Sequence, residues 1–309
     1  MPKLSVGLPI YNSEKYLAEA IEALLGQTYA DFELIISDNA STDGTAEICH
    51  HYASLDSRIR YFRQPRNIGL APNHNFVADQ ARAGYFKWAA GDDLYGRDLL
   101  ARCVAALDEY PQVVLAHSWT AYIDDHRMVT QAFEYPLSTT SPRAPERFRS
   151  VLFDSGGDDD YGVIRTEVLR RAARKDSYHH ADHTIIAEIV LHGPFYQVPD
   201  WLYFRRDHPD RAERAHPTMR SRCVNMDPRR ASRWRHPAVR LYGEYILAYA
   251  AAVHRAPLTR ADRQECYRYL AQWLASRASP GADQPAGPAS GPLPDIPVDA
   301  LVAGRERQA

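Results

Sequence analysis

Cysteine is scarce in this chain, and the four that occur, Cys49, Cys103, Cys223 and Cys266, are too far apart to form a CxxC pair or a familiar metal-ligand spacing. That excludes a disulfide framework and a zinc knuckle, and it predicts reduced thiols in a cytosolic protein. Long apolar runs are also missing. The longest weakly apolar stretch, residues 245–253, is about half of the roughly 20 residues a membrane-spanning helix needs, so it predicts a buried helix and no transmembrane segment. The amino terminus, Met1-Pro2-Lys3-Leu4-Ser5-Val6, has one basic residue and no apolar segment of signal-peptide length, which predicts a cytoplasmic location. Neither charge sign dominates: 37 basic and 39 acidic residues leave a formal net charge of -2, and no nucleic acid partner is expected. Two nucleotide signatures are absent as well. The turn after the first apolar run reads Gly7-Leu8-Pro9-Ile10-Tyr11-Asn12 where a dinucleotide fold needs GxGxxG, and there is no GxxxxGK[ST] loop, which argues against nicotinamide and P-loop chemistry.

The 309 residues, 45% of them hydrophobic, suffice for a full core in one large domain or two modest ones. Residues 4–9 are an apolar run closed by Pro9, and Leu17, Ile21, Leu24 and Leu25 recur at the helical period over 14–27. Strands are predicted at 32–37, 59–63 and 85–90, helices at 45–52, 73–83 and 97–110, and a loop at 67–73. This alternation predicts an α/β fold with a parallel, doubly wound sheet, whose ligands bind outside the carboxyl ends of the strands. Polar residues fall at all four such ends: Tyr11-Asn12, Asp38-Asn39, Asn67 and Asp92-Asp93. Two adjacent carboxylates after Gly91 suit Mn²⁺ or Mg²⁺ carrying a phosphate ligand, because hard oxygen donors bind these ions through few protein ligands. An isolated Asp-Asp turn would read as solvated, but four polar strand ends together favour a ligand site.

The residues that carry a family resemblance are Leu4-Ser5-Val6-Gly7-Leu8-Pro9-Ile10-Tyr11-Asn12, Leu25-Gly26-Gln27-Thr28, the turn from Asp38-Asn39 to Gly44-Thr45, Asn67-Ile68-Gly69 and Gly91-Asp92-Asp93. In order and spacing they resemble the inverting family 2 glycosyltransferases, strongly over residues 3–110 and more weakly to 208. The resemblance implies a GT-A fold, Rossmann-like, with a mixed, mostly parallel sheet flanked by helices and a carboxyl-terminal helical extension. It implies a nucleotide site of Pro9, Tyr11, Asp38, Asn39 and Asn67, with Asp92 on a ribose hydroxyl and Asp93 on the metal, Mn²⁺ or Mg²⁺. Asn39 departs from the family's usual Asp-Asp. Its amide can accept from a base or donate to it, which leaves UDP and dTDP sugars as donors. The division implied is a nucleotide-sugar half at 1–112, an acceptor half at 113–210, a helical extension at 211–277 and a disordered tail at 278–309.

In the second half, inverting displacement needs a carboxylate to take the acceptor's proton. Asp182, in Tyr178-His179-His180-Ala181-Asp182-His183, looks like the family's base, although Ala181 stands where the family often has Glu; the alternative is a helix cap. His179, His180 and His183 read as tuning the base or touching the acceptor, since no further His or Cys completes a zinc spacing. A strand at 195–204 is followed by Arg205-Arg206-Asp207-His208, and the resemblance makes Arg205, Arg206 and His208 candidates for the leaving diphosphate. Asp158, Asp159 and Asp160 lie between glycines, as in either a second site or a solvated loop. Arginines are frequent from 205 to 240, which fits a solvated face, an anionic ligand or peripheral contact with a membrane. The acceptor class stays open among glycans, lipid-linked and small-molecule acceptors. Two alternatives to transfer are a sugar nucleotidyltransferase, which would want a basic Gly-rich loop after the first strand, and a silent nucleotide-sugar-binding protein, which would have lost the base or the metal carboxylate.

Overall fold

The computed structural model describes residues 1–134, 138–154, 161–172, 174–178, 180–277 and 293–303. The expected roles of His179 and of Asp158, Asp159 and Asp160 therefore lie outside the described residues.

The amino-terminal half is built as the hydrophobic pattern demands. Strands β1 (Leu4–Ile10) and β2 (Phe32–Asp38) are buried almost throughout, as expected of parallel strands covered on both faces. With β3 (Ile59–Arg63) and β4 (Tyr85–Trp88) they form a parallel sheet in the order β3-β2-β1-β4. The crossovers are α1 (Leu17–Leu25), α2 (Thr45–Leu55) and α3 (Leu70–Asp79). α3 starts three residues before the expected position. Gly69, at φ 95°, turns the chain into it, and Pro72 is tolerated in a first turn where its missing N–H costs nothing.

The sheet continues past β4 with mixed polarity. β8 (Val163–Arg165) pairs antiparallel with both β4 and β6 (Leu115–Ile123), and β6 runs parallel to the long β9 (Phe195–Arg206). β5 (Leu94–Tyr95) pairs antiparallel with β9, and β7 (Val129–Phe133) lies on β6. Nine strands thus form one sheet. α4 (Leu99–Glu109) covers one face, where Leu100, Cys103, Val104 and Leu107 are buried. On the other face α5 (Ala144–Phe153), α6 (Thr166–Arg171) and α7 (Ala181–His192) share a second apolar cluster with two long helices, α10 (Ala238–Arg255) and α11 (Arg260–Arg277). The buried carboxylate of Glu188 on α7 takes two hydrogen bonds from Arg255, at 2.9 and 2.8 Å, which fixes α10 in place. Short helices α8 (Ala212–Ala215) and α9 (Met219–Met226) link β9 to this pair. Among the described residues no helix is long and apolar enough to cross a membrane.

The tail departs from expectation. Residues 293–303 carry a short helix, α12 (Val298–Ala303), with Ile296 and Val298 buried in the first core cluster and the Leu301 carbonyl accepting from Arg97 N–H at 2.9 Å. Ile296 and Val298, with the half-buried Leu301 and Val302 packed beside them, dock it in an otherwise Pro-, Gly- and Ala-rich stretch; residues 278–292 and 304–309 lie outside the described residues.

One core group gives the stability a pH dependence. His117 on β6 is buried, and that burial pushes its pKa from 6.5 down to about 4. Between those values the unfolded chain binds a proton that the folded chain does not. The stabilisation is therefore full above pH 6.5 and is lost as pH falls through 4. Urea titrations at pH 7 and pH 4 should differ by about 3 kcal/mol from this residue, and His117→Gln should flatten that slope.

Candidate active site

The polar turns of the sequence meet along the carboxyl edge of the parallel strands. β1 extends three residues beyond the point where Gly7 faces Trp88, the last residue of β4, and Ile10 faces Asp38. The space above the end of β4 is thus walled by β1 and β2. Gly91 fits closely there: a Cβ would stand 3.0 Å from Ile10 Cγ2, and the isoleucine would have to give by a few tenths of an ångström. The turn that carries the two aspartates is stapled by the buried Tyr95, whose hydroxyl accepts from Ala90 N–H at 2.7 Å and donates to Ala90 O at 3.0 Å. Gln27 holds the same region from below, donating to Gly96 O at 2.9 Å and accepting from Leu100 N–H at 3.0 Å, which explains the glutamine after α1.

Asp92 and Asp93 have opposite surroundings. Antiparallel pairing of β5 with β9 sets Tyr203 opposite Tyr95 and brings Arg206 to the aspartate turn. Asp93 is buried; its Oδ1 accepts from the Arg206 N–H at 2.9 Å and its Oδ2 from the Tyr203 hydroxyl. Burial and the adjacent Asp92 charge raise its pKa. Asp92 keeps 35% of its side chain exposed, and its Oδ2 lies 3.0 Å from His208 Nε2. Burial opposes its ionisation, but the His208 hydrogen bond and the Arg211 charge outweigh that and hold its pKa down. Of the two carboxylates Asp92 therefore gives up its proton first, and it is the one facing outward. His208 is buried against the Tyr16 ring, 5.0 Å between centroids, and its Nδ1 has no hydrogen-bond partner.

The arginines expected in a loop after residue 204 belong instead to β9, because β6 keeps pairing with it through Tyr122–Arg205 and Ile123–Arg206. Arg206 is buried and spent on structure: Nε donates to Asp92 O at 3.0 Å, Nη2 to Glu19 at 2.8 Å, and the guanidinium stacks 4.6 Å over Tyr16. Arg205 donates to the Tyr122 hydroxyl at 2.9 Å. Arg211, absent from the sequence candidates, is the cation whose field reaches both aspartates, and it donates to Arg206 O at 2.6 Å. Tyr203 and Tyr16 were equally unforeseen, since neither belongs to a motif and both act through a turn distant in sequence.

A second group forms at the end of β2. Asp38 is fully buried and holds its own turn, accepting from Ser41 N–H at 2.8 Å and from the Tyr61 hydroxyl at 3.1 Å. Asn39 is buried too. Its Oδ1 accepts from Ile68 N–H at 2.8 Å, while its Nδ2 donates to Asn67 Oδ1 at 3.0 Å and Gly69 O at 3.3 Å. Asn39 thus clasps the 67–69 loop, donating as well as accepting, which a carboxylate could not do. Asn67 is exposed and lines a cavity of about 390 Å³ with His216, Thr218, Arg220, Ser221 and Pro228. Pro9 is half-buried and Tyr11 exposed at the end of β1. Asn39→Asp is expected to lower stability by about 1–3 kcal/mol by leaving the two acceptors without a donor, and to weaken nucleotide binding. Urea unfolding and calorimetry check the two effects.

Asp182 stands in the first turn of α7, after His180 at φ 59°, and no side chain caps this helix. Its Oδ1 is buried and has no hydrogen-bond partner among the described residues. Burial would raise its pKa, yet the charges of His183, Lys175 and His180 prevail and hold it well below the usual carboxylate range. Lys175 lies 5.7 Å over the Trp88 ring, and the Trp88 Nε1–H donates to His74 O at 3.1 Å, so Asp182's surroundings join the end of β4 four residues before Asp92. Donor atoms of His180, Asp182 and His183 all lie within 4.8 Å of one another, but the Lys175 charge opposes a cation among them.

Comparison with known proteins decides the family. The model of glycosyl transferase family 2 matches residues 5–170. An uncharacterized glycosyltransferase of Haemophilus influenzae is 32% identical over 227 residues, 67% of this chain and 90% of that protein. The chain belongs to glycosyltransferase family 2. EpsE of Bacillus subtilis is 41% identical over 110 residues, 35% of this chain, but the chain spans only 40% of its length. Among solved structures, S. aureus TarS 1-349 in complex with UDP superposes with a TM-score of 0.63 at 19% identity, covering 89% of this chain and 71% of that one. The mannosyltransferase PcManGT of Pyrobaculum calidifontis, in complex with GDP-Man and Mn²⁺, reaches 0.50 at 17% identity, covering 90% and 87%. These likenesses establish the GT-A fold of this family 2 member, with helices added at its carboxyl end.

Proposed function

We propose that this glycosyltransferase moves a sugar from a nucleoside diphosphate sugar to an acceptor hydroxyl with inversion, assisted by a divalent cation. The observation that carries this reading is the division of labour between the adjacent aspartates: Asp93 sealed by Tyr203 and Arg206, and Asp92 ionised, half-open and beside His208. An ionised carboxylate oxygen next to an imidazole nitrogen is a donor set that fits Mn²⁺, and Mg²⁺ less well. The metal role thereby moves from Asp93 to Asp92 with His208. A cation held there would neutralise charge on the leaving diphosphate.

The chain's own groups do the remaining work. Arg211 and Arg205 add positive field near the site of that charge. The acceptor oxygen attacks the anomeric carbon from the face opposite the diphosphate, its proton passes to the Asp182 carboxylate, and the bond from the anomeric carbon to the phosphate oxygen breaks with inversion. Asp182 offers an ionised carboxylate, one oxygen of which has no partner among the described residues. Ile10, Asp38 and the clasped 67–69 loop form the wall for the nucleoside, with Asn67 at the rim of the adjoining cavity. UDP and dTDP sugars are the donor candidates, since TarS was solved with UDP. Calorimetry with UDP, dTDP and GDP, with and without Mn²⁺, tests the reading: one nucleotide should bind tightly only with the cation, and metal-independent binding of all three or none would overturn it.

A further inference from the structure

The segment between α9 and α10 presents an apolar side chain that no fold requires. Trp234 is 97% exposed and stands between Arg233 and Arg235, both exposed and neither in an ion pair among the described residues. The neighbouring arginines are already neutralised. Arg229 pairs with Asp227 at 2.7 Å, Arg240 with Glu244 at 2.8 Å, and Arg230 with Glu244 and Asp176. From 228 to 243 the chain has no acidic residue at all.

α10 continues the same surface. Leu241, Tyr249, Ala252 and Val253 are buried, whereas Val239 and Tyr242 are 77% and 55% exposed. At 100° per residue Val239, Tyr242 and the half-buried Ile246 begin the stripe that continues into the buried Tyr249 and Val253, so the amino-terminal end of that stripe is uncovered. An uncovered apolar helix end thus adjoins an exposed tryptophan flanked by two arginines that make no ion pair among the described residues.

We propose that this surface docks on an anionic lipid bilayer, with Trp234, Val239 and Tyr242 entering the headgroup boundary and Arg233 and Arg235 meeting lipid phosphates. Tryptophan favours that boundary, where its ring is apolar and its N–H stays wet, and arginines can bury their stems while their heads reach anionic headgroups. A second copy of the chain fits less well, because a twofold contact would set the unpaired arginines of one copy against those of the other. Single-stranded nucleic acid would use the arginines and Trp234 but leaves Val239 exposed. The surface adjoins the cleft, since Pro228 lines the Asn67 cavity and a Cβ at Gly69 would strike Met226 O at 2.4 Å.

The test uses the full chain without donor or metal, so its failure leaves the glycosyl-transfer reading untouched. Sedimentation with phosphatidylcholine vesicles is compared with vesicles that also contain phosphatidylglycerol. Binding is expected only with the anionic lipid, and Trp234→Ala and the double variant Arg233→Ser, Arg235→Ser should each weaken it about tenfold. Val239→Ser, at the uncovered end of α10, should weaken it as well. Because these side chains are exposed, the variants should keep the parent Tm, and circular dichroism verifies this. Absence of vesicle binding, or equal binding by the Trp234 variant, overturns the proposal. So does a Trp234-dependent dimer in light scattering without lipid binding, or preferential binding of a single-stranded oligonucleotide.

Discussion

Asp182→Asn is expected to lower kcat by about 10³-fold while leaving the donor Kd within about twofold of the parent. The exchange preserves the size of the side chain and removes its capacity to take a proton. Donor affinity should survive because Asp182 belongs to the group around Lys175, His180 and His183, apart from the carboxylate and loop contacts proposed for the nucleotide. The low pKa of Asp182 adds an expectation for the parent: its carboxylate is already ionised throughout the neutral range, so its titration should leave no step in the parent's kcat there. Single-turnover kinetics with donor binding measured separately divides the two effects. Transfer within about tenfold of the parent would place the base elsewhere.

The elements that the sequence predicts well are those whose cause is local. β1 to β4 and their crossover helices follow from apolar runs and the helical period, and four polar strand ends point to the edge where the site lies. What stays hidden is set by partners distant in the chain. Which of two neighbouring aspartates is sealed depends on Tyr203 and on the backbone of Arg206, on a strand more than a hundred residues later. Arg205 and Arg206 look like loop residues until β6 extends the ladder through them. β5 and β8, of two and three residues, are too short for any periodicity to show, and they exist because β9, β4 and β6 supply their hydrogen bonds. Asn39 reads as a weakened base contact in the sequence, and only the folded 67–69 loop reveals its three partners.

Asp92→Asn and Asp93→Asn should fail in opposite ways. In the first, the outward carboxylate loses its charge beside His208, so Mn²⁺-dependent nucleotide binding should fall by about 10–100-fold and turnover with it, whereas the unfolding free energy should hardly change because Asp92 is half-open. In the second, the buried acceptor of the Tyr203 hydroxyl and the Arg206 N–H becomes an amide that must turn a donor toward one of them. That should cost about 1–3 kcal/mol of stability and loosen the junction of β5 with β9. Any loss of activity in this variant should then track the folded fraction, and excess Mn²⁺ should not restore it. Urea unfolding beside a Mn²⁺ titration of both variants separates the assignments: a stable but metal-blind Asp93→Asn, with Asp92→Asn still responsive to Mn²⁺, would return the metal role to Asp93.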